Sequence, residues 1–211
     1  MIERHPFERF SVNAFQKNKK GIDCCGDSFF VNETDNTFFC AVADGLGSGE
    51  AARKASQAAV KAIENFQNEP LERIMTKVNG TQRGLRGVVL SIFKLHLKSG
   101  VMEFCGVGNV KLKIFNEMGE WLRPVPKPGI LAGQVMRFNI QRLKYPQNGW
   151  FAMYSDGIAI NAKDTPTLKY LLHAESSDNI DIDPLLHSIS ANIVDDMTLL
   201  LGTPTKKSLL R

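Results

Sequence analysis

The chain has 211 residues, 43% hydrophobic and 23% charged, with a formal net charge of +4. This length suits one domain with a full core, and the balance is that of an ordinary globular protein. Two partner classes are excluded. No apolar run approaches the roughly 18 residues of a membrane span, and the one basic cluster, Lys17, Lys19 and Lys20, is short and lacks the interleaved aromatics of a nucleic-acid face. The first residues, Met1 to Pro6, contain no apolar signal region. Cys24, Cys25, Cys40 and Cys105 show neither zinc spacing nor a disulfide framework. A reducing, cytoplasmic setting is expected, with Cys40 and Cys105 as buried thiols.

In chain order, Asp27 to Asn32 and Phe38 to Ala43 read as two strands joined by a turn at Thr34-Asp35-Asn36. From Glu50 to Phe66 the period becomes helical, with Ala52, Ala55, Ala59, Ile63 and Phe66 on one face and Ser48 as the expected cap. A second helix is predicted over Pro70 to Asn79, with Pro70 in its first turn and Gly80 as its stop. Val88 to Leu97 alternates Phe93, Leu95 and Leu97 with Lys94, His96 and Lys98. Ser99-Gly100 turns it into Val101 to Val107. Val110 to Phe115, Glu120 to Val125, Arg137 to Leu143 and Trp150 to Ser155 are further predicted strands. Thr165 to His173 and Asp183 to Asn192 are predicted helices, and Met197 to Leu201 is a closing strand. Consecutive hairpins with two helical pairs give an α+β fold: a two-sheet antiparallel β-sandwich flanked by helices. Residues 1–202 read as a single domain and 203–211 as a polar tail.

The informative pattern is acidic. Two apolar runs end in Asp-Gly, at Asp44-Gly45 and Asp156-Gly157. Asp195-Asp196 directly precedes the last strand, and Asp27 opens another. Asp-Gly at a strand end is normally only a turn. Its recurrence at several strand ends can bring carboxylates together on one sheet edge, the oxygen donors that Mg²⁺ and Mn²⁺ need. Gly45-Leu46-Gly47-Ser48-Gly49 before the Ala-rich helix is no dinucleotide loop, because Glu50 stands where glycine or alanine is required. It is no P-loop either, because no lysine follows Gly49.

These motifs resemble those of PPM-type protein serine/threonine phosphatases of the bacterial SpoIIE-like branch. The resemblance is carried by Ala43-Asp44-Gly45-Leu46-Gly47-Ser48-Gly49, Ser155-Asp156-Gly157 and Asp195-Asp196-Met197-Thr198-Leu199. Cys25-Gly26-Asp27-Ser28-Phe29-Phe30 before them and the Gly106-Val107-Gly108-Asn109 break narrow it, over residues 10 to 202. It implies the αββα fold of that family and two divalent cations, Mn²⁺ or Mg²⁺, activating a water for direct attack on phosphorus. Carried over motif by motif, Asp44 would bridge both metals and Gly45 would offer its carbonyl to one. Asp156 and Asp195 would ligate the other, and Asp27 would hold metal-bound waters. Asp196 would orient the site. The catalytic set is Asp44, Asp156 and Asp195.

Two departures stand out. Ile22 occupies the place where eukaryotic relatives carry a phosphate-binding arginine, which leaves Lys19 or Lys20 as a substitute or simply as a solvated loop. Ile158-Ala159-Ile160 follows the second Asp-Gly where larger relatives often have an acidic residue. The implied partner is a phosphorylated stressosome scaffold protein of the STAS-domain type, acted on by a monomer. The competing class, an inactive member of the fold that only binds a partner, predicts loss of a metal carboxylate, and all the expected ones are present.

Overall fold

The computed structural model describes residues 2–173, 184, 188–189 and 195–205. The chain begins with two strands that have no counterpart among those predicted: β1 (Ile2–Pro6) and β2 (Phe10–Lys17). The alternation signal fails in both. β1 is an edge strand of charged residues and ends in Pro6. β2 buries a polar Asn13, whose Nδ2 donates to the Leu171 and Leu172 carbonyls.

Next come β3 (Asp27–Glu33), β4 (Thr37–Gly45), α1 (Glu50–Phe66) and α2 (Leu71–Thr81). They are followed by β5 (Val88–His96), β6 (Val101–Val107), β7 (Lys111–Phe115) and the short β8 (Trp121–Leu122). The chain continues through β9 (Gln141–Lys144), β10 (Trp150–Tyr154), a single 3₁₀ turn (Ala162–Asp164), α3 (Thr165–His173) and β11 (Met197–Pro204). The predicted strands over 120–125 and 137–143 shrink to β8 and β9, because proline and glycine break the connection between them. β11 runs on to Pro204, three residues beyond Leu201. The helix predicted over Asp183 to Asn192 lies largely outside the described residues, as does 206–211 of the tail.

Two antiparallel sheets result. One has the order β1-β2-β11-β10-β7-β8 and the other β3-β4-β5-β6-β9. Three apolar layers follow. Phe10, Phe38, Phe93 and Phe151 fill the space between the sheets. Ala59, Ile63, Ile74 and Val78 of the helical pair cover one outer face, and Leu168 and Leu171 of α3 cover the other. With both faces covered, β4 and β5 are apolar nearly throughout.

This covering corrects the alternation read at Lys94. Its side chain is buried and its Nζ donates to the Gln67 and Glu69 carbonyls, placing a cation at the C-terminal end of α1. The caps differ as well. Gly49, at φ +72°, precedes α1 and Ser48 makes no cap bond. Pro70 precedes α2, and Gly80 lies inside it.

Candidate metal centre

The strand ends of both sheets meet at one edge of the sandwich. Asp27 opens β3 and stands directly opposite Asp44 at the end of β4. Asp156 follows β10, and Asp195-Asp196 leads into the neighbouring β11. Like charges placed opposite each other on antiparallel strands are destabilising, so the pair Asp27 and Asp44 is costly unless something positive is held there.

Two glycines make the meeting possible, by their size. Neither Gly45 nor Gly157 has a positive φ. A Cβ on Gly45 would overlap the Ala52 carbonyl of α1, and one on Gly157 would overlap the Asp196 carbonyl. The Asp-Gly signal therefore marks close chain approach here, in contrast to the left-handed Gly47 and Gly49 of the following loop.

The electrostatics show an unbalanced field. Burial pushes Asp44 up to about 9, and the charges of Asp27, Asp156, Asp195 and Asp196 add to it. Asp27, 4% exposed, is pushed up to about 7, again chiefly by burial. Hydrogen bonds from the Ser155 and Thr198 hydroxyls oppose this, and Asp196 and Asp156 reinforce it. Asp156 is raised by burial and by Asp195, against the Asn109 amide and Lys111.

Among the described residues no three ligand-type side chains already close on a single point. The carboxylates share a field and do not form a finished cage. The donor set nevertheless fits hard divalent cations: it is all oxygen, it lacks positive charge, and Asp27 Oδ2 is buried with no hydrogen-bond partner among the described residues.

Asp196 is occupied differently. One oxygen accepts from the Lys19 N–H at 2.8 Å and the other from the Gly26 N–H at 2.9 Å, tying the loop before β3 to β11. Several supporting residues had gone unassigned. Asn109 Nδ2 donates to Asp156 Oδ2 at 2.8 Å, and Thr198 N–H donates to Ser155 Oγ at 2.9 Å. Their sequence signal was adjacency to the acidic motifs, since Ser155 and Thr198 flank them and Asn109 ends the Gly106–Gly108 break. Ile22 packs toward Gly49. Arg86 reaches the glycine loop: its Nη1 lies 2.6 Å from where a Gly47 Cβ would stand. Nothing in the sequence linked Arg86 to that loop.

Comparison with known proteins fits this arrangement. Residues 17–100 match the Protein phosphatase 2C family. The chain is 32% identical over 202 residues to the phosphoserine phosphatase RsbX of Bacillus subtilis (strain 168), covering 96% of this chain and 98% of the relative. The chain belongs to the protein phosphatase 2C family. It is a phosphatase of the serine/threonine type. A crystal structure of RsbX in complex with magnesium superposes with a TM-score of 0.81 at 31% identity, over 97% of this chain and all of the other. A chain from structural work on the bacterial stressosome as a modular signalling system matches at 25% identity and a TM-score of 0.78, over 92% of this chain and all of that one. The two sheets, with the helices among the described residues that cover them, are thus the fold of protein phosphatase 2C enzymes, and this phosphatase is similar to RsbX.

Proposed function

We propose that this phosphatase removes phosphate from phosphoserine and phosphothreonine on stressosome scaffold proteins of the RsbS and RsbR type, resetting a general stress response as a cytoplasmic monomer. The observation that carries the reading is the meeting of Asp27, Asp44, Asp156 and Asp195 at one edge of the sandwich in a chain similar to RsbX. Two divalent cations, Mg²⁺ or Mn²⁺, would supply Lewis-acid charge and an activated water at neutral pH. Asp44 would be shared between them, the Gly45 carbonyl would face one, and Asp156 and Asp195 would face the other.

The remaining work falls to the chain itself. Asp27, buried and bonded by Ser155 and Thr198, would hold metal-bound water. Asn109 fixes one oxygen of Asp156, and the other would be the one offered to a cation. Asp196 spends both oxygens on backbone N–H groups and keeps the loop before β3 closed on the edge. Arg86, beside Gly47, and Lys19 or Lys20, in the loop before β3, are the cations that would meet the substrate's phosphate.

The test is hydrolysis of an aryl phosphate and of a phosphoserine protein with Mn²⁺, with and without EDTA. Activity is expected only with the metal present, and turnover that survives EDTA would overturn the metal assignment. Wild-type rates from Asp156→Asn would overturn the residue assignment.

A further inference from the structure

β3 is the outermost strand of its sheet and pairs with β4 alone. Two backbone bonds fix which of its residues face β4. The Gly45 N–H donates to the Gly26 carbonyl at 3.3 Å, and the Thr34 N–H donates to the Thr37 carbonyl at 2.8 Å. In the β3–β4 register both bonds join directly opposed residues, so the even-numbered positions turn N–H and C=O toward β4. The odd-numbered positions turn theirs outward. Gln16 Nε2 donates to the outward carbonyl of Asp27 at 3.3 Å. Among the described residues nothing bonds to the outward backbone groups of Phe29 and Val31.

A groove of about 1160 Å³ runs along this same edge, lined by residues 27 to 31 in succession, by His5 of β1, and by Arg53 and Gln57 of α1. It is larger than the roughly 300–1,000 Å³ of a small-molecule pocket. Asp27 is one of its lining residues and shares the carboxylate field of Asp44 and Asp156.

We infer that this edge docks the polypeptide substrate: an extended segment of the phosphoprotein pairs backbone to backbone with Phe29 and Val31, its phosphorylated residue at the Asp27 end. The inference rests on the phosphoprotein reading above. Strand addition of this kind draws its affinity from main-chain hydrogen bonds. Phe29 and Val31 point their side chains into the space between the sheets, so the edge presents backbone and the α1 wall supplies discrimination through Arg53 and Gln57. Because the pairing is main-chain, any strand-forming phosphoserine peptide is a valid probe.

The experiment uses the full chain with Mn²⁺ and a short peptide of alternating Thr and Val around a phosphoserine. Two further versions carry backbone N-methyl groups on alternate amides, one on the odd and one on the even positions. N-methylation removes donors from one side of a strand only. One version is expected to lose about tenfold in kcat/KM and the other less than about twofold. Val31→Pro removes an outward donor that β4 does not use. It is expected to raise KM for the unmethylated peptide by about the same tenfold, with aryl phosphate turnover unchanged. Gln57→Trp fills the groove from the exposed side of α1 and is expected to give the same split, should the proline variant fail to fold.

Equal losses for the two methylated peptides overturn the inference, as does aryl phosphate hydrolysis with no hydrolysis of the parent peptide. A wild-type dimer that Val31→Pro dissociates would assign the edge to a second copy and also overturn it. A wild-type chain inactive on both substrates would overturn the phosphatase reading itself, and the docking inference with it.

Discussion

β4 crosses two regions governed by opposite rules. From Phe38 to Ala43 it is fully buried, its side chains packed against aromatic rings on one face and helices on the other. At Asp44 and Gly45 it enters a region where like charges face one another and a glycine is required because α1 presses on the backbone. The first stretch is what holds the fold together. The second is tolerated only because the first is rigid. A packed interior can hold carboxylates at a spacing they would not choose, and the strain is then available to a cation.

The largest effect expected from breaking this contrast is on activity. Asp44→Asn should cost about a thousandfold or more in kcat, roughly 4 kcal/mol of transition-state stabilisation. The same change should make the metal-free chain more stable, because it deletes one side of the Asp27–Asp44 repulsion. A thermal melt in EDTA beside the rate assay checks both halves. A variant that is both inactive and less stable would mean that Asp44 belongs with the structural region.

Phe38→Ala probes the other region. Phe38 stacks on Phe10 with centroids 4.3 Å apart and touches the rings of Phe93 and Phe151. Truncation should cost about 3–5 kcal/mol of stability, read from urea unfolding. Turnover per folded molecule should stay near wild type.

The two regions were unequally legible in the sequence. The interior announced itself through periodicity, so α1, α2 and β3 to β7 fall close to where alternation and helical spacing place them. Lys94 misled, since a charged residue at an alternating position suggests solvent. Here the position is covered, and the ammonium group is satisfied by carbonyls from the α1–α2 connection. β1 and β2 stayed hidden because edge charges, Pro6 and a buried Asn13 erase the period-two pattern. At the acidic edge, Asp27, Asp44, Asp156 and Asp195 stand out in the sequence because each lies at or beside a strand end. Their supports do not. The bonds from Asn109 to Asp156 and from the Lys19 N–H to Asp196 join residues 47 and 177 positions apart, and no local pattern encodes that.

Asn109→Ala sharpens the comparison from that support layer. Outer partners of metal ligands typically contribute about 10–100-fold to affinity or activity. We expect a loss in that range in Mn²⁺ affinity, measured by calorimetry, with kcat at saturating metal changed less than affinity. Unchanged binding would show that Asp156 is positioned by β10 and Gly157 alone.

The smallest expected effect concerns pH, and its sign separates the two regions. Asp44 is raised from its ordinary 3.8 to about 9 and Asp27 to about 7, each first by burial and then by neighbouring carboxylates. A carboxylate raised in the folded state binds protons there that the unfolded chain has already released. Its penalty is absent below about 4 and grows until pH passes the folded values. Stability of the metal-free chain should therefore fall as pH rises from 5 to 9. Water at the half-open mouth screens Asp44, so the fall should be modest, about 3–6 °C in Tm. Saturating Mg²⁺ should flatten the dependence, because a bound cation favours the ionised carboxylates and relieves their repulsion. Phe38 carries no titrating group, so Phe38→Ala should lower the whole curve without changing its slope. Asp44→Asn should change the slope, and scanning calorimetry on the three chains with and without Mg²⁺ tells the two behaviours apart.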